Sequence, residues 1–460
     1  MNTQPTHLLL AAITVAGYCV MCLKIWQRTL DRHRNAMRLA TAQGKEGQTS
    51  LLVLHASQTG TAENIATQTA TALQVAGVNA VLRSFAHLDV ATLLSATQAL
   101  FVVSTYGEGD APDSAATFVT TVMRESAVDL SRLQYGMLTL GDRSYRNYCG
   151  FGRELDAWLQ RQHAQPLFPP IEVNNGDPDA VNAWRRELGH IAATTDLPAW
   201  QDVPFEAWTL RARKQLNSGS LGAPIFHIEL ALQNTVTTGW QAGDLLQVHV
   251  PDDPDRPRDY SIASIPADGA VHLLVRLQIR TDGTIGGASR WLTSDLPVGA
   301  TLRARLRTHS QFRIGDNAER DLILIGNGTG LAGLLAHLKQ RELKHAVDAS
   351  ARRHWLLFGE RQAACDALFG TELAAWFASG LLTRLDLVYS RDGGAERYVQ
   401  DRLRAEGERL RMWVAAGAAI YVCGSLDGMA EGVASVLREQ LGEDVLTRLQ
   451  GEGRYRRDVY

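Results

Sequence analysis

Cysteine is scarce, and lysine is absent over one long stretch; both gaps narrow what this chain can be. The 460 residues hold five cysteines, Cys19, Cys22, Cys149, Cys365 and Cys423. They are too few and too scattered for a disulfide framework, and none forms a metal-spaced set, so no metal site is expected. A reducing compartment suits the bulk of such a chain. From Leu51 to Pro198 there are 15 acidic residues, nine arginines and no lysine. That surface repels nucleic acid and steers a basic protein partner toward it, or else it is simply a solvated acidic face. Internal repeats and low-complexity tracts are also missing. Hydrophobic content of 45% and charged content of 21% are those of a globular protein with real cores, and the length allows about three domains.

One long apolar run exists, Leu8–Leu23 (LLLAAITVAGYCVMCL), extended past Lys24 by Ile25 and Trp26. A membrane span needs about 17–25 residues, so this run is just long enough. No Lys or Arg precedes it; Lys24, Arg28, Arg32, Arg34 and Arg38 follow, with Asp31 the only acid among them. The positive-inside rule places the N-terminus outside and everything after Trp26 in the cytoplasm. A cleaved signal peptide is the alternative, but the basic leading region it needs is lacking. The expectation is a single-pass protein of the inner (cytoplasmic) membrane, with an N-terminal transmembrane helix at 1–27, a linker at 28–48 and its catalytic domains in the cytoplasm.

Past the linker, strands and helices alternate. LLVLHA (Leu51–Ala56), ALFVVST (Ala99–Thr105) and YGMLTLGD (Tyr135–Asp142) are apolar strands, each ending in a polar loop. Such repeats predict a doubly wound parallel α/β sheet, with ligands at the carboxyl ends of the strands. A Pro-containing linker, Asp196–Phe205, follows. The alternating stretches IFHIELAL, LLQVHV, VHLLVRLQI and TLRARLRT then predict an antiparallel all-β barrel. From Asp321 the βα pattern returns with LILIG, WLLFG, RLDLVYS and AIYVCG. The expected units are 49–195, 206–317 and 318–460.

SQTGTAEN (Ser57–Asn64) follows a strand and opens a helix. The hydroxyls of Ser57, Thr59 and Thr61, with free amides at the helix start, can hold a phosphate. The loop has no lysine of the kind that grips a nucleoside triphosphate, which argues against an ATPase. STYGEGDAPD (Ser104–Asp113) and LGDRSYRNYCGFG (Leu140–Gly152) each place a tyrosine, Tyr106 and Tyr145, where a planar ring could be sandwiched. Further along, RDYSIAS (Arg258–Ser264) and GGASRWL (Gly286–Leu292) lie at barrel strand ends. IGNGTGLAG (Ile325–Gly333) is a glycine-rich loop between strand and helix.

Together these motifs resemble the diflavin reductases, the family of microsomal NADPH–cytochrome reductase and of the sulfite reductase flavoprotein subunit, over about nine-tenths of the chain. LGDRSY, GGAS, YVQ and the terminal RDVY bring it nearer the latter. The resemblance implies a flavodoxin-like FMN domain, then a ferredoxin–NADP reductase type module with an FAD barrel and a Rossmann-like NADP domain. FMN would be held by Ser57, Gln58, Thr59, Gly60, Thr61, Ala62, Ser104, Thr105, Tyr106, Gly107, Leu140, Gly141, Asp142, Tyr145 and Cys149. FAD would lie on Arg258, Asp259, Tyr260 and Ser261, with its diphosphate at Gly286, Gly287, Ala288 and Ser289 and its ring under the terminal Tyr460. NADPH would meet Gly326, Gly328, Thr329 and Gly330, then Ser390, Arg391, Arg397, Tyr398 and Gln400. Ser261, Cys423 and Asp458 would surround the point of hydride transfer.

Five departures stand out. The family has proline where Asn327 and Gly333 stand, lysine where Glu396 stands, and an aspartate in place of Gly432. The helical connecting domain that relatives insert before RxYS has no room here, since QAGDLLQV (Gln241–Val248) runs almost directly into RDYS. The implied activity is electron transfer from NADPH through FAD and FMN to a one-electron acceptor, a haemoprotein or ferric complex at the membrane face. The alternative is the electron-input subunit of a sulfite reductase with a sirohaem partner, basic where it docks. A flavin-binding module without turnover is a third possibility, opposed by Ser261, Cys423 and Asp458.

Overall fold

The computed structural model describes residues 50–460 apart from 125–127, 195, 199, 201–202, 233–238, 280–281 and 346–352. The chain folds around three sheets. In the first, β1 (Leu51–Ala56), β2 (Ala80–Ser84), β3 (Gln98–Ser104), β4 (Gln134–Gly141) and β5 (Gln165–Pro166) lie in the order β2-β1-β3-β4-β5, and β6 (Ile171–Asn174) also pairs with β4. Every pairing is parallel. The apolar runs of β1 and β3 are buried along their length because helices cover both faces. These helices include α1 (Thr61–Val75), α2 (Val90–Ser95), α3 (Gly150–Arg161) and α4 (Pro178–Ile191). Two apolar cores result, one on each side of the sheet.

The second sheet is antiparallel: β7 (Glu206–Gln215), β8 (Ile225–Leu232), β9 (Leu245–Val250), β10 (Asp253–Ser261), β11 (Val271–Arg276) and β12 (Thr301–Arg307), in the order β10-β9-β12-β7-β8-β11. An Ile262–Leu273 bridge joins its two edge strands and closes it into a barrel. Alternate residues (Trp208, Leu210, Ile228, Leu230, Leu246, Val248) point into its core. A short helix, α5 (Gly287–Arg290), sits at its mouth.

The third sheet is parallel again: β13 (Leu322–Asn327), β14 (His354–Glu360), β15 (Arg384–Tyr389), β16 (Ala419–Gly424) and β17 (Tyr455–Val459), in the order β15-β14-β13-β16-β17. Helices α6 (Leu331–His345), α7 (Glu431–Leu441) and α8 (Glu443–Gly451) are among those that cover it. One core runs unbroken from Ile225, Ala263, Leu274 and Phe312 of the barrel side to Leu324, Tyr421 and Cys423 of this sheet.

Among the described residues no helix is long and apolar enough to cross a membrane. Helices α1 and α6, at 15 residues each, would reach only about 22 Å against a hydrocarbon core of about 30 Å. This corrects the expected single-pass, inner-membrane placement with a membrane as partner; the Leu8–Leu23 run and the rest of residues 1–48 lie outside the described residues.

Candidate active site

Parallel pairing of β16 with β17 sets Cys423 directly opposite Asp458. The end of β10 brings Ser261 to the same place, so that three side chains from two sheets converge. The Ser261 hydroxyl donates to Asp458 Oδ2 at 2.6 Å, and Cys423 Sγ lies 3.7 Å from the same oxygen. Burial, and then the neighbouring Asp458 carboxylate, push the Cys423 thiol well above its usual range, so it stays protonated. The terminal Tyr460 donates its amide to the Gly424 carbonyl at 3.0 Å and its hydroxyl to Thr329 Oγ1 at 3.0 Å, while the residue as a whole is 57% exposed. The last residue is thus tethered through both its backbone and its side chain.

The glycine-rich loop packs on the same spot. A Cβ on Gly330 would stand 2.1 Å from the Cys423 carbonyl oxygen, and one on Gly326 would stand 2.6 Å from it. Only glycine allows so close an approach of strand end and loop. Asn327, one of the departures, has a job here: its side-chain oxygen accepts the Ser425 amide at 3.0 Å and ties the ends of β13 and β16 together. Gly333 leaves room for the Phe312 ring, which a Cβ would meet at 2.9 Å. Beside Gly328 runs an ion pair that sequence reasoning missed, Arg276 to the buried Glu360 at 2.8 Å.

Ser390, Arg391, Arg397 and Tyr398 gather beyond β15. The Ser390 and Arg391 amides bond the carbonyls of Glu360 and Arg361, and the Arg397 guanidinium reaches the Ser390 carbonyl at 3.2 Å. Arg391, Arg397 and Tyr398 are exposed. Glu396 does not confront an incoming anion unpaired, because Arg402 holds its carboxylate at 2.9 Å. Gln400 lies across Gly432, its amide nitrogen 2.9 Å from where a Cβ would be.

At the barrel mouth the amides of Gly287, Ala288 and Ser289 have no protein acceptor among the described residues, and no atom lies within 4 Å of a Cβ placed on Gly287. This is an open cradle suited to a diphosphate. Arg258 is turned along its own strand toward Asp253, at 3.0 Å. Asp259 faces away from the cradle and pairs with Arg307 at 2.5 Å. Tyr260 is half-buried against the barrel core.

At the first sheet, Gly60 takes a left-handed φ of 82° and starts α1. The amides from Thr59 to Ala62 and of Glu63 have no protein acceptor among the described residues. The hydroxyls of Ser57 and Thr105 are buried without a partner. A phosphate would supply the missing acceptors, so the loop fits the group expected there. Gln58 is otherwise engaged, bonding Asp113 and the Arg457 carbonyl. Ser104 receives the Gln58 amide at 3.4 Å. Gly107 is left-handed, Leu140 and Gly141 end β4, and the Asp142 carboxylate just beyond it caps Ser144 at 2.8 Å. Cys149, also left-handed, buries its thiol against the Thr139 carbonyl. The two tyrosines differ: Tyr145 is 44% exposed, whereas Tyr106 packs onto the third domain with Arg457 over its ring at 5.6 Å.

Arg457 is the second residue that sequence reasoning missed. Adjacent in sequence to Asp458, it pairs in a largely buried bridge with Asp113 of the first domain, Nε to Oδ2 at 2.9 Å. The two partners stand in the terminal RYRRDVY and in STYGEGDAPD, but no local rule couples residues 344 apart. His227, Glu229 and His272 also meet on the outer barrel face, ligand atoms within 4.8 Å of one another. Their surroundings already hold a cation: burial and then His272 lower His227 to about 4, and the Lys339 ammonium adds to the effect.

Comparison with known proteins agrees with this layout. The flavodoxin family model matches residues 53–184, and the oxidoreductase NAD-binding domain model matches residues 324–435. The chain is similar to the sulfite reductase [NADPH] flavoprotein alpha-component of Vibrio cholerae, 27% identical over 91% of this chain and 89% of the relative. The corresponding proteins of Neisseria meningitidis serogroup C (26%, 89% of each chain) and Shewanella sp. strain ANA-3 (26%, 94% and 93%) match likewise. The first alignment spans 553 positions, more than the 460 residues here, so that relative carries segments this chain skips. In the structure β9 passes to β10 through two residues, Pro251 and Asp252, and nothing is inserted before RDYS.

Proposed function

The chain belongs to the diflavin reductase family, with FMN, FAD and NADPH as its cofactors, and from that premise we propose that it is the electron-input flavoprotein of a sulfite reductase, feeding a sirohaem partner. When bound, NADPH supplies a hydride, FAD receives it, and FMN passes the electrons on singly. The Ser261–Asp458–Cys423 cluster beside the glycine-rich loop supports the hydride-transfer part of this reading, and the likeness to sulfite reductase flavoprotein alpha-components supports the choice of acceptor.

In this reading Asp458 would place a negative charge where a nicotinamide ring would lie, favouring the positive charge that develops in hydride donation. Ser261 orients that carboxylate and holds its own proton at Oγ. Cys423, kept as the neutral thiol, fills the floor of the site without adding a second anion. Tyr460, held through Thr329 and Gly424, would shield the site from water. Ser390, Arg391 and Arg397 would receive the 2′-phosphate, with Tyr398 and Gln400 alongside. Arg258, Tyr260 and the Gly286–Ser289 cradle would hold FAD. The loops bearing Ser57, Thr59, Thr61, Thr105, Tyr106, Gly141 and Tyr145 would hold FMN.

A stand-alone NADPH–haemoprotein or ferric-complex reductase is the second reading; it shares every step up to the acceptor. Expression of the full chain, followed by affinity capture, separates the two. Co-purification of a sirohaem protein and NADPH-driven sulfite reduction support the proposal. NADPH-driven cytochrome c reduction with no sirohaem partner supports the second reading, and a preparation carrying a single flavin species overturns both.

A further inference from the structure

The hydroxyl loop of the first domain has no cation of its own, yet a cation reaches it from elsewhere. β12 of the barrel ends at Arg307, and the guanidinium Nη2 donates to Thr61 Oγ1 at 2.7 Å and to the Thr59 carbonyl at 3.0 Å. Thr61 is the first residue of α1, whose opening amides have no acceptor among the described residues. The hydroxyl of Ser57, a residue only 1% exposed, is unpartnered in the same loop. The next residues of the barrel close over the loop. A Cβ on Gly60 would lie 2.7 Å from the Thr308 carbonyl oxygen, His309 Nε2 is 2.9 Å from the Gln58 carbonyl oxygen, and the Ser310 hydroxyl donates to Glu63.

We propose that Arg307 completes the FMN phosphate site from the neighbouring domain, so that the 5′-phosphate is held by α1 and by the barrel together. The inference rests on the reading of the first domain as an FMN domain and adds to it. Charge supports it: a phosphate dianion in a loop of neutral donors, on a domain with an excess of acidic residues, gains most from a charge-assisted bond. A guanidinium has five N–H donors, so Arg307 can keep Asp259 on one side and face the loop with another. Asp259 adjoins Arg258 and Tyr260, which places the FAD motif and the FMN loop one ion pair apart. In relatives a connecting domain contributes to the geometry between the flavins; here a phosphate shared by two domains takes over part of that task.

The test uses deflavinated full chain titrated with FMN and, separately, with riboflavin, which lacks the phosphate; binding is read by quenching of flavin fluorescence. Arg307→Ala is expected to weaken FMN about tenfold or more while leaving riboflavin unchanged, with Arg307→Lys recovering part of the loss. FAD content and the far-ultraviolet circular dichroism spectrum report that the variant is folded. Unaltered FMN affinity in Arg307→Ala, or an equal loss for FMN and riboflavin, overturns the inference, the latter because Arg307 would then act only by packing the domains. Wild-type protein that binds no FMN is a different failure: it removes the FMN reading itself.

Discussion

The two redox regions are joined to the rest of the molecule in opposite ways. Around Ser261, Cys423 and Asp458 the junction is apolar: Ala263, Leu274 and Phe312 share one buried core with Leu324 and Tyr421. The first domain meets its neighbours through the polar pairs Asp113–Arg457, Arg307–Thr61, His309–Gln58 and Ser310–Glu63, with Tyr106 packed on the third sheet's core beside them. Apolar junctions ignore salt and resist opening, whereas charged ones are screened and can be broken singly. The barrel and third sheet therefore behave as one rigid body built for a hydride transfer that needs close contact. The first domain is attached by contacts that can let go, which suits a carrier that must also face an acceptor.

The largest test of this contrast is on the rigid side. Asp458→Asn should slow NADPH-dependent flavin bleaching in stopped flow by about a hundredfold or more while both flavins stay bound, since a charge next to the reacting ring is lost. A rate within a fewfold of wild type would remove Asp458 from the mechanism. On the attached side, Asp113→Ala leaves Arg457 buried without its partner, and docking should weaken by about 3 kcal/mol. Small-angle scattering should then show an expanded particle, with hydride transfer to FAD unaffected. Unchanged scattering would mean the polar pair is not what holds the domain.

The shared core can be probed by acid. His337 is fully buried between Phe312 and Tyr421 with neither ring nitrogen partnered, and burial lowers it to about 3. Below its ordinary value of 6.5 the unfolded chain takes up a proton that the folded one refuses. Stability is thus complete above that value and falls as the pH drops toward 3. Denaturant melts of His337→Leu across this range should show a shallower acid slope; identical slopes would assign the acid sensitivity elsewhere. The smallest effect is expected at Glu396. Its pair with Arg402 is partly exposed, so Glu396→Lys should lower the KM for NADPH only about two- to fivefold, with kcat unchanged.

Much was legible locally. β1, β3 and β4 coincide with their apolar runs to within a residue or two, because a strand buried on both faces must be apolar throughout. The glycine loops were readable because close backbone approach admits no other residue. β17 was not legible as a strand: YRRDV sets three consecutive charged residues between Tyr455 and Val459 and has little apolar content. It is a strand because β16 offers it an edge, with Tyr455 and Val459 buried beneath. The expected membrane span rested on a run outside the described residues, and no described helix is of that kind.

By itself the sequence determined which residue types stand at the strand ends, since motif, turn and periodicity are short-range properties that need only neighbouring residues. The tertiary structure alone decided which of those ends meet. Ser261 and Asp458 are 197 positions apart, and Arg307 and Thr61 are 246 apart. Contacts over such separations come from how sheets pack and which charges are left facing one another, and no local pattern encodes that.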